Sequence, residues 1–448
     1  MKRINLSIML FSTTILFGCV NLAPNNEVPK VENLISFDNE TSKDSKIIWS
    51  DYIIDNNLKS ILDKAIENNY ETSVAKLNIE RAIESYKITG ADKFPRVNLN
   101  SSLMKGESIN KIESLSAEIG FNGYELDFFN KVENRRKSSI MEFESIRYDA
   151  DFTRKAIVSR VLILLNTISS NNEMINKLEE IKNNASQAES IIKKKVDFGL
   201  SKEVDHLNAR TITLRAIYDI EVAKNELFKN KTALDIIVGE VVDDSYIPID
   251  TLSFSKMILR LDTEVNSIQL TDRPDIKSVE MQLWAANANI GVARANFYPS
   301  ITLTTSAGVI SQNLSSLSTN GSWLISPSLN IPIFNSGENK SKLKISEIDK
   351  KILIKKYEYT VQKAFKDVAD SLNDMKSYDL QLKTFKTLVN ESRRSVEINE
   401  ILYNEGAANF LDVLNLKRDL YNIEKEYILL KKNEFESVIN AYKSMSIY

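Results

Sequence analysis

The sequence predicts a mainly α-helical protein that carries β-strands of membrane-barrel type and is built from two internal repeats. Three observations predict it. Only 12 Gly and 8 Pro punctuate 448 residues, so the elements should be long and uninterrupted. A helical pattern feeds directly into an alternating apolar strand at two places, about two hundred residues apart. The apolar spacing of the longest stretches is that of a coiled coil rather than of a compact domain.

Composition sets the outer limits. An apolar fraction of 43% is enough for a core, and a net charge of −3 with a single His leaves no basic excess to neutralise phosphates. Nucleic acid is therefore not an expected partner.

Residues 1–18 read as an export signal: Lys2 and Arg3, an apolar run from Leu6 to Phe17, then Leu16-Phe17-Gly18 before Cys19. A small residue followed by Cys is the pattern of a bacterial lipobox. Its thiol is joined to diacylglycerol and its new amino group is acylated, and two or three acyl chains anchor stably where one does not. Cys19 is the only Cys, so an internal disulfide is impossible. Val20 stands where an inner-membrane retention signal often places Asp, which favours the outer membrane. No later run reaches the roughly 18 apolar residues of a spanning helix, and the oiliest, Ala156 to Ile168, contains Arg160. A mature chain that crosses a membrane must do so by strands.

Residues 19–48 lack periodicity and read as a lipidated tether, after which Trp49 and Tyr52 are candidate anchors to the body. A first repeat is expected over 49–250 and a second over 251–448. In the first, a helix over Leu58 to Ala91 stops at Phe94-Pro95. Val97, Leu99 and Leu103 then alternate with polar residues as a strand. A polar loop over Gly106 to Ser114 leads to a second strand with Leu115, Ala117, Ile119 and Phe121 on one face. Near Gly123 the phase shifts to Tyr124, Leu126 and Phe128, as a bulge would make it. From Lys131 to Val196 there is neither Pro nor Gly, which at 1.5 Å per residue gives a helix about 100 Å long. Gly199 breaks it, and a return helix is expected over Glu203 to Val238, followed by irregular chain to Leu270.

The second half replays this plan. A helix over Pro274 to Asn296, with Asp272 as its expected N-cap, gives way to a strand over Ile301 to Val309. A polar loop from Ser311 to Gly321 and a strand from Trp323 to Ile331 follow. A long helix from Glu338 to Tyr403 places Val361, Val368, Met375, Leu382, Val389, Val396 and Tyr403 at every seventh position, a seam that faces a partner helix. Gly406 ends it, and a last helix runs from Leu411 to Met445. The two breaks share the pattern G-x5-D-x-L-N: Gly199, Asp205, Leu207 and Asn208 recur as Gly406, Asp412, Leu414 and Asn415, 207 residues on.

The chain supplies four strands of about eight to ten residues where a tilted bilayer-spanning strand needs about 9 to 11; such strands can cross only inside a closed barrel, and the smallest such barrels have about eight strands. The chain must therefore oligomerise if it spans. No phosphate-binding Gly-rich loop, G-x-S-x-G or His-rich cluster points to an enzyme, a metal or a cofactor. His206 has no neighbouring ligand and reads as a surface residue.

The stretches CVNLAP, YELDFFNKV, RPDIKSVEMQLWAANANIGVARANFYPSITLTTSAG, PSLNIPIFNSGE, VQKAFKDVADSLN and YNEGAANFLDVLNLKRDLYNIEKEY cover the mature chain in order. In them it resembles the TolC-like outer-membrane efflux factors, and within these the NodT-type lipoprotein branch. The resemblance implies a homotrimer that pools four strands per chain into a twelve-stranded β-barrel in the cell outer membrane, continued by a coiled-coil helical barrel as a tunnel in the periplasm. It implies a passive exit duct for small molecules such as drugs. Its partners would be a periplasmic adaptor (membrane fusion protein), an inner-membrane transporter of RND type and outer-membrane lipid. Gly199 and Gly406 fall at the periplasmic tip turns. Asp412 matches a carboxylate ring at the constriction, and Asn415 stands where some members carry a second Asp. Tyr403 and Asp205 match a pair that holds the gate shut. Asn404 stands where some members have Arg, so a salt bridge there is lost. A duct for type I protein secretion and a non-conducting periplasmic coiled-coil scaffold are the alternatives.

Overall fold

The computed structural model describes residues 20–29, 52–107, 111–258, 270–311 and 321–445. Cys19, Trp49, most of the expected tether and the interior of the 311–321 loop lie outside them. The helices are α1 (Asn56–Asn68), α2 (Tyr70–Ala91), α3 (Lys131–Asp197), α4 (Glu203–Val238), α5 (Thr251–Ser255), α6 (Pro274–Ala295), α7 (Glu338–Asn404) and α8 (Phe410–Ser444). The strands are β1 (Asn98–Glu107), β2 (Lys111–Leu126), β3 (Ser300–Ser311) and β4 (Gly321–Asn330). The chain divides into two compact units.

The first unit comprises Met1–Val31, Leu77–Tyr148 and Asp275–Thr360. All four strands pair here, antiparallel, in the order β1-β2-β3-β4. Each strand meets its helix at the same end of the sheet, because α2 and α6 enter β1 and β3 while β2 and β4 lead into α3 and α7. Cross-strand partners share a face. Leu99, Ile119, Ala307 and Trp323 therefore form one apolar row, with Phe121, Thr305 and Ile325 in another. The opposite face carries Ser102 beside Ser116, and Glu118 and Gly308 beside Ser322. The expected bulge is present: three steps from Phe121 to Tyr124 oppose two from Thr305 to Leu303. Gly123 takes φ +65 there and its N–H donates to Thr304 Oγ1 at 3.0 Å. An odd insertion keeps Phe121 and Tyr124 on one face, which is the phase shift seen in the sequence.

The polar loop expected over Gly106 to Ser114 is instead mostly strand, since pairing continues to Glu107 opposite Lys111. Polar residues at barrel-strand ends keep the period of two and need no core. The cap expected at Asp272 is also corrected. The helix begins at Pro274, so Arg273 and not Asp272 is the residue before it, and Pro274 stands at the first helical position, where its missing N–H costs nothing.

The second unit comprises Glu32–Lys76, Asp149–Pro274 and Val361–Tyr448. Its core joins Leu58, Ile61, Leu62 and Ala65 of α1 to Ile157, Val161, Leu165 and Ile168 of α3, with Leu234, Phe254 and Phe435 closing it. The oily run Ala156 to Ile168 thus has a soluble explanation: it is the core stripe of α3, and Arg160 on its far side pairs with Glu71 at 2.7 Å. No described helix is long and apolar enough to cross a membrane. The helix expected over Leu58 to Ala91 is two helices broken at Asn69. That residue is extended (φ −61, ψ 138), its Oδ1 accepts from the N–H groups of Glu71 and Thr72, and its Nδ2 donates to Ile237 O at 2.9 Å. An Asn side chain serving as N-cap in extended backbone ends one helix and starts the next. The stretch after Gly239 is not wholly irregular either, since it holds a 3-10 turn at Asp244–Tyr246 and the short helix α5, capped by Asp243 and Asp250. Tyr52 meets Tyr442 edge to face at 5.1 Å.

On α7 the seven-residue seam is the packed one: Val361, Val368, Val389 and Val396 are buried, and Met375, Leu382 and Tyr403 are half-buried.

Candidate functional site: the helix turns and the sheet face

The two helix breaks use one device. Gly199 at φ +73 and Gly406 at φ +78 sit in the left-handed region, where a side chain costs roughly 1–2 kcal/mol. Leu200 N–H returns to Lys195 O and Gly199 N–H to Val196 O; Ala407 N–H returns to Leu402 O and Gly406 N–H to Tyr403 O. This paired 6→1 and 5→2 closure satisfies the last carbonyls of α3 and α7 alike. Phe198 and Leu200 stand exposed on the first turn, at 79% and 77%.

Beyond each turn the duplicated Asp takes the third position of the next helix, with Asp205 N–H on Lys202 O and Asp412 N–H on Asn409 O. There the copies part. Asp205 is half-buried and its Oδ2 accepts from Ser201 Oγ at 2.8 Å and from Lys202 N–H at 3.1 Å, closing the helix start. Asp412 is exposed and makes no side-chain hydrogen bond among the described residues. Asn415, one turn further, is half-buried. His206 is also half-buried, with Nδ1 at 3.2 Å from Glu203 Oε1, because the return of α4 packs it toward α3 near Glu189.

Tyr403 and Asp205 are not joined. The Tyr403 hydroxyl accepts from Lys195 Nζ at 2.8 Å, the ammonium lies 4.7 Å from the ring centroid, and the ring tilts against Phe410 at 5.3 Å. The reason is local: the orphan N–H at the start of α4 and Ser201 already occupy the Asp205 carboxylate, while Lys195 in the last turn of α3 faces the phenol. Sequence reasoning missed Lys195, because its contact with Tyr403 joins residues 208 apart and no local pattern marks it.

Two turns or more above, a buried polar layer ties the helices of this unit. Asp219 of α4 accepts from Tyr421 Oη and Lys425 Nζ of α8, both at 2.5 Å, with Arg215 Nε at 3.5 Å. Burial works against the Asp219 charge, yet the Lys425 and Tyr421 hydrogen bonds hold its carboxyl below the usual range. Burial and the same carboxylate push the Tyr421 phenol well above its ordinary value. Glu424, next along α8, bridges Arg393 of α7 at 2.6 Å and Lys177 of α3 at 3.0 Å. Beside it runs a cleft of about 760 Å³ lined by Lys177, Arg393, Glu397, Lys417 and Glu424. Among the described residues no cluster of three or more His, Cys, Asp or Glu side chains could hold a metal ion.

In the sheet unit the apolar face lies open, with Leu99 73% and Trp323 77% exposed. The other face is held by polar contacts, Ser102 Oγ to Ser116 Oγ at 2.9 Å and Ser322 Oγ to Glu118 Oε1 at 3.3 Å. Gly308 lets the strands close on that face, since a Cβ there would meet Ala117 O at 2.0 Å. A sheet oily on one side and hydroxyl-lined on the other, ending in helices of 67 residues each, defines a strand-spanning membrane protein with a helical extension.

The chain belongs to the outer membrane efflux protein family, whose model matches residues 61–240 and 267–445. It is 30% identical to the cation efflux system protein CusC of Escherichia coli O157:H7 over 414 residues, covering 89% of this chain and 87% of that one. It is 28% identical to the probable outer membrane lipoprotein SilC of Salmonella typhimurium over 455 residues, 96% of each. Among solved structures it is similar to the open state of the Neisseria gonorrhoeae MtrE outer membrane channel, with TM-score 0.87, 26% identity and coverage of 95% and 98%. A crystal structure of CusC superposes with TM-score 0.85 at 26% identity, covering 95% and 99%.

Proposed function

We propose that this chain is the exit duct of a tripartite efflux system in the outer membrane. It passes small solutes or cations outward without chemistry of its own. The observation that carries the reading is the four-stranded sheet with an open apolar face, a hydroxyl face and the outer edges of β1 and β4 without a strand partner among the described residues. An open edge cannot stand in hydrocarbon. Three copies joined edge to edge give twelve strands and close the barrel. The relatives' names point to cations, antibiotics, toluene and other solvents as cargo, which is the breadth expected of a passive duct.

In this reading the two repeats, 49–250 and 251–448, contribute equivalent hairpins, and Cys19 carries the lipid that tethers the chain to the membrane. The turns at Gly199 and Gly406 form the tip that meets a periplasmic adaptor, itself joined to an inner-membrane transporter of RND type. Three copies of Asp412, each without a side-chain hydrogen bond among the described residues of its own chain, converge at the constriction and favour cations there, with Asn415 leaving the next layer uncharged. Tyr403 contributes to closure through Lys195, and Asp205 by fixing the start of α4.

The test is the membrane-extracted protein in mild detergent, beside a Cys19→Ala control. A mass three times that of the lipidated chain, with discrete conducting channels in planar bilayers, is the expected result. A monomer without conductance would leave the periplasmic scaffold as the better reading.

A further inference from the structure

The stretch read as a loose tether begins as a docked strap. Val20 N–H donates to Phe128 O at 3.3 Å. Arg294 Nη1 donates to Leu22 O at 3.0 Å, and Asn287 Nδ2 donates to Asn25 O at 3.3 Å and to Asn26 Oδ1 at 3.0 Å. Residues 20, 22 and 25–26 thus meet Phe128, Arg294 and Asn287 in turn, so the strap runs antiparallel to α6 over about two helical turns. Ala23 lies against Gly291, where a Cβ would come within 2.9 Å of the Ala23 methyl and 2.5 Å of Asn134 Nδ2. Gly291 is thus the notch that admits the strap. Asn21 Oδ1 takes the Ala23 N–H at 3.1 Å, setting the bend that seats it.

The membrane-facing end of this strap is the informative one. Phe128 lies two residues beyond the end of β2, and its neighbour Phe129 stacks on Tyr298 at 4.7 Å, where α6 passes into β3. Aromatic side chains at the end of a spanning sheet mark the bilayer interface. Cys19 is one Cα step of about 3.8 Å from Val20. A flexible tether of about thirty residues would let its end wander by roughly 30 Å; the clasp removes that freedom at the first residues after the lipid.

We propose that residues 20–26, held by Arg294, Asn287 and the Gly291 notch, form a clasp that fixes where the acyl chains of Cys19 enter the bilayer, beside the junction of sheet and helices. Arg294 and Asn287 are positioning residues for the lipid and do not touch it. The inference rests on the lipid anchor proposed above.

The experiment uses the full chain in isolated outer membranes. Val20→Cys with Phe128→Cys, a pair that meets through backbone atoms and leaves Asn287 and Arg294 in place, is treated with a short bis-methanethiosulfonate, and digestion with mass spectrometry reads both the cross-link and the acylation of the N-terminal peptide. The cross-link should form within one chain and fall about tenfold when Arg294→Ala removes one hydrogen bond and Gly291→Leu fills the notch. Arg294→Lys, which keeps a donor, should restore part of what Arg294→Ala loses, a result that general destabilisation would not give. A fluorophore on Val20→Cys, quenched by phospholipids spin-labelled near the headgroup, should report one shallow depth in the parent and a broadened one in the release variants. A cross-link no stronger in the parent than in Gly291→Leu, or a depth that ignores the release variants while acylation is intact, overturns the clasp. An unacylated Cys19 in the parent overturns the anchor instead, and shows itself in the peptide mass whatever the cross-link does.

Discussion

Tyr421 Oη donates to Asp219 Oδ2 across 2.5 Å inside the helical unit, and Lys425 takes the same oxygen. One carboxylate thereby ties α4 to α8 in a layer that also holds Glu424. In a coiled coil such a layer fixes the axial register of helices that apolar seams alone would let slide. Tyr421→Phe should cost about 1.5–3 kcal/mol, the range for a hydrogen bond to a charged group. Asp219→Ala should cost more, because it leaves Lys425 facing a buried site. Urea unfolding in detergent, with the double variant completing the cycle, measures both; additive losses would remove the coupling.

Acid should loosen the sheet unit through Glu133. The Arg136 hydrogen bond, opposed by burial and helped by Lys93, holds its carboxyl at about 2. A folded value below the unfolded one of about 4.3 means that the contribution is complete above that pH and is lost as pH falls toward about 2. Thermal melts between pH 6 and pH 3 should show a decline that Glu133→Gln flattens. An unchanged slope would assign the acid loss elsewhere.

Beside the helix turns, Lys195→Ala and Tyr403→Phe should be non-additive in single-channel conductance, since the two side chains form one contact. Asp205→Ala and Tyr403→Phe should add, since they share none. Non-additivity in the second pair would restore the direct latch.

Gly199→Ala and Gly406→Ala each force a methyl into the left-handed region, at a cost of roughly 1–2 kcal/mol. The strain is confined to the turn, so limited proteolysis at 197–201 or 404–408 should quicken while the global melting temperature moves little. Asp412→Asn in all three copies should lower cation over anion permeability in planar bilayers, and the same change at Asp205 should not.

Most of the architecture is legible in the sequence because it rests on period and punctuation. The α4 boundaries at Glu203 and Val238, the bulge at Gly123 and both glycine turns follow from signals carried by neighbouring residues. What is not legible depends on distant partners. Asn69 breaks a helix with its own side chain, but its amide is anchored on Ile237, 168 residues away. The strap at 20–26 has no periodicity because Asn287 and Arg294, not its own pattern, hold it. Tyr403 has its partner in Lys195, 208 residues away, because Ser201 and an orphan N–H occupy the matching carboxylate of Asp205.

The paired turns at Gly199 and Gly406 have an evolutionary consequence. A doubled chain inherits two copies of one corner, with the same left-handed glycine and the same two backbone closures. Selection on folding can be met by either. In one copy the following carboxylate serves the backbone; in the other it faces solvent. Because the glycine and the backbone closures alone suffice to turn the chain, the carboxylate after the second corner is not committed to the fold and can change without unmaking it.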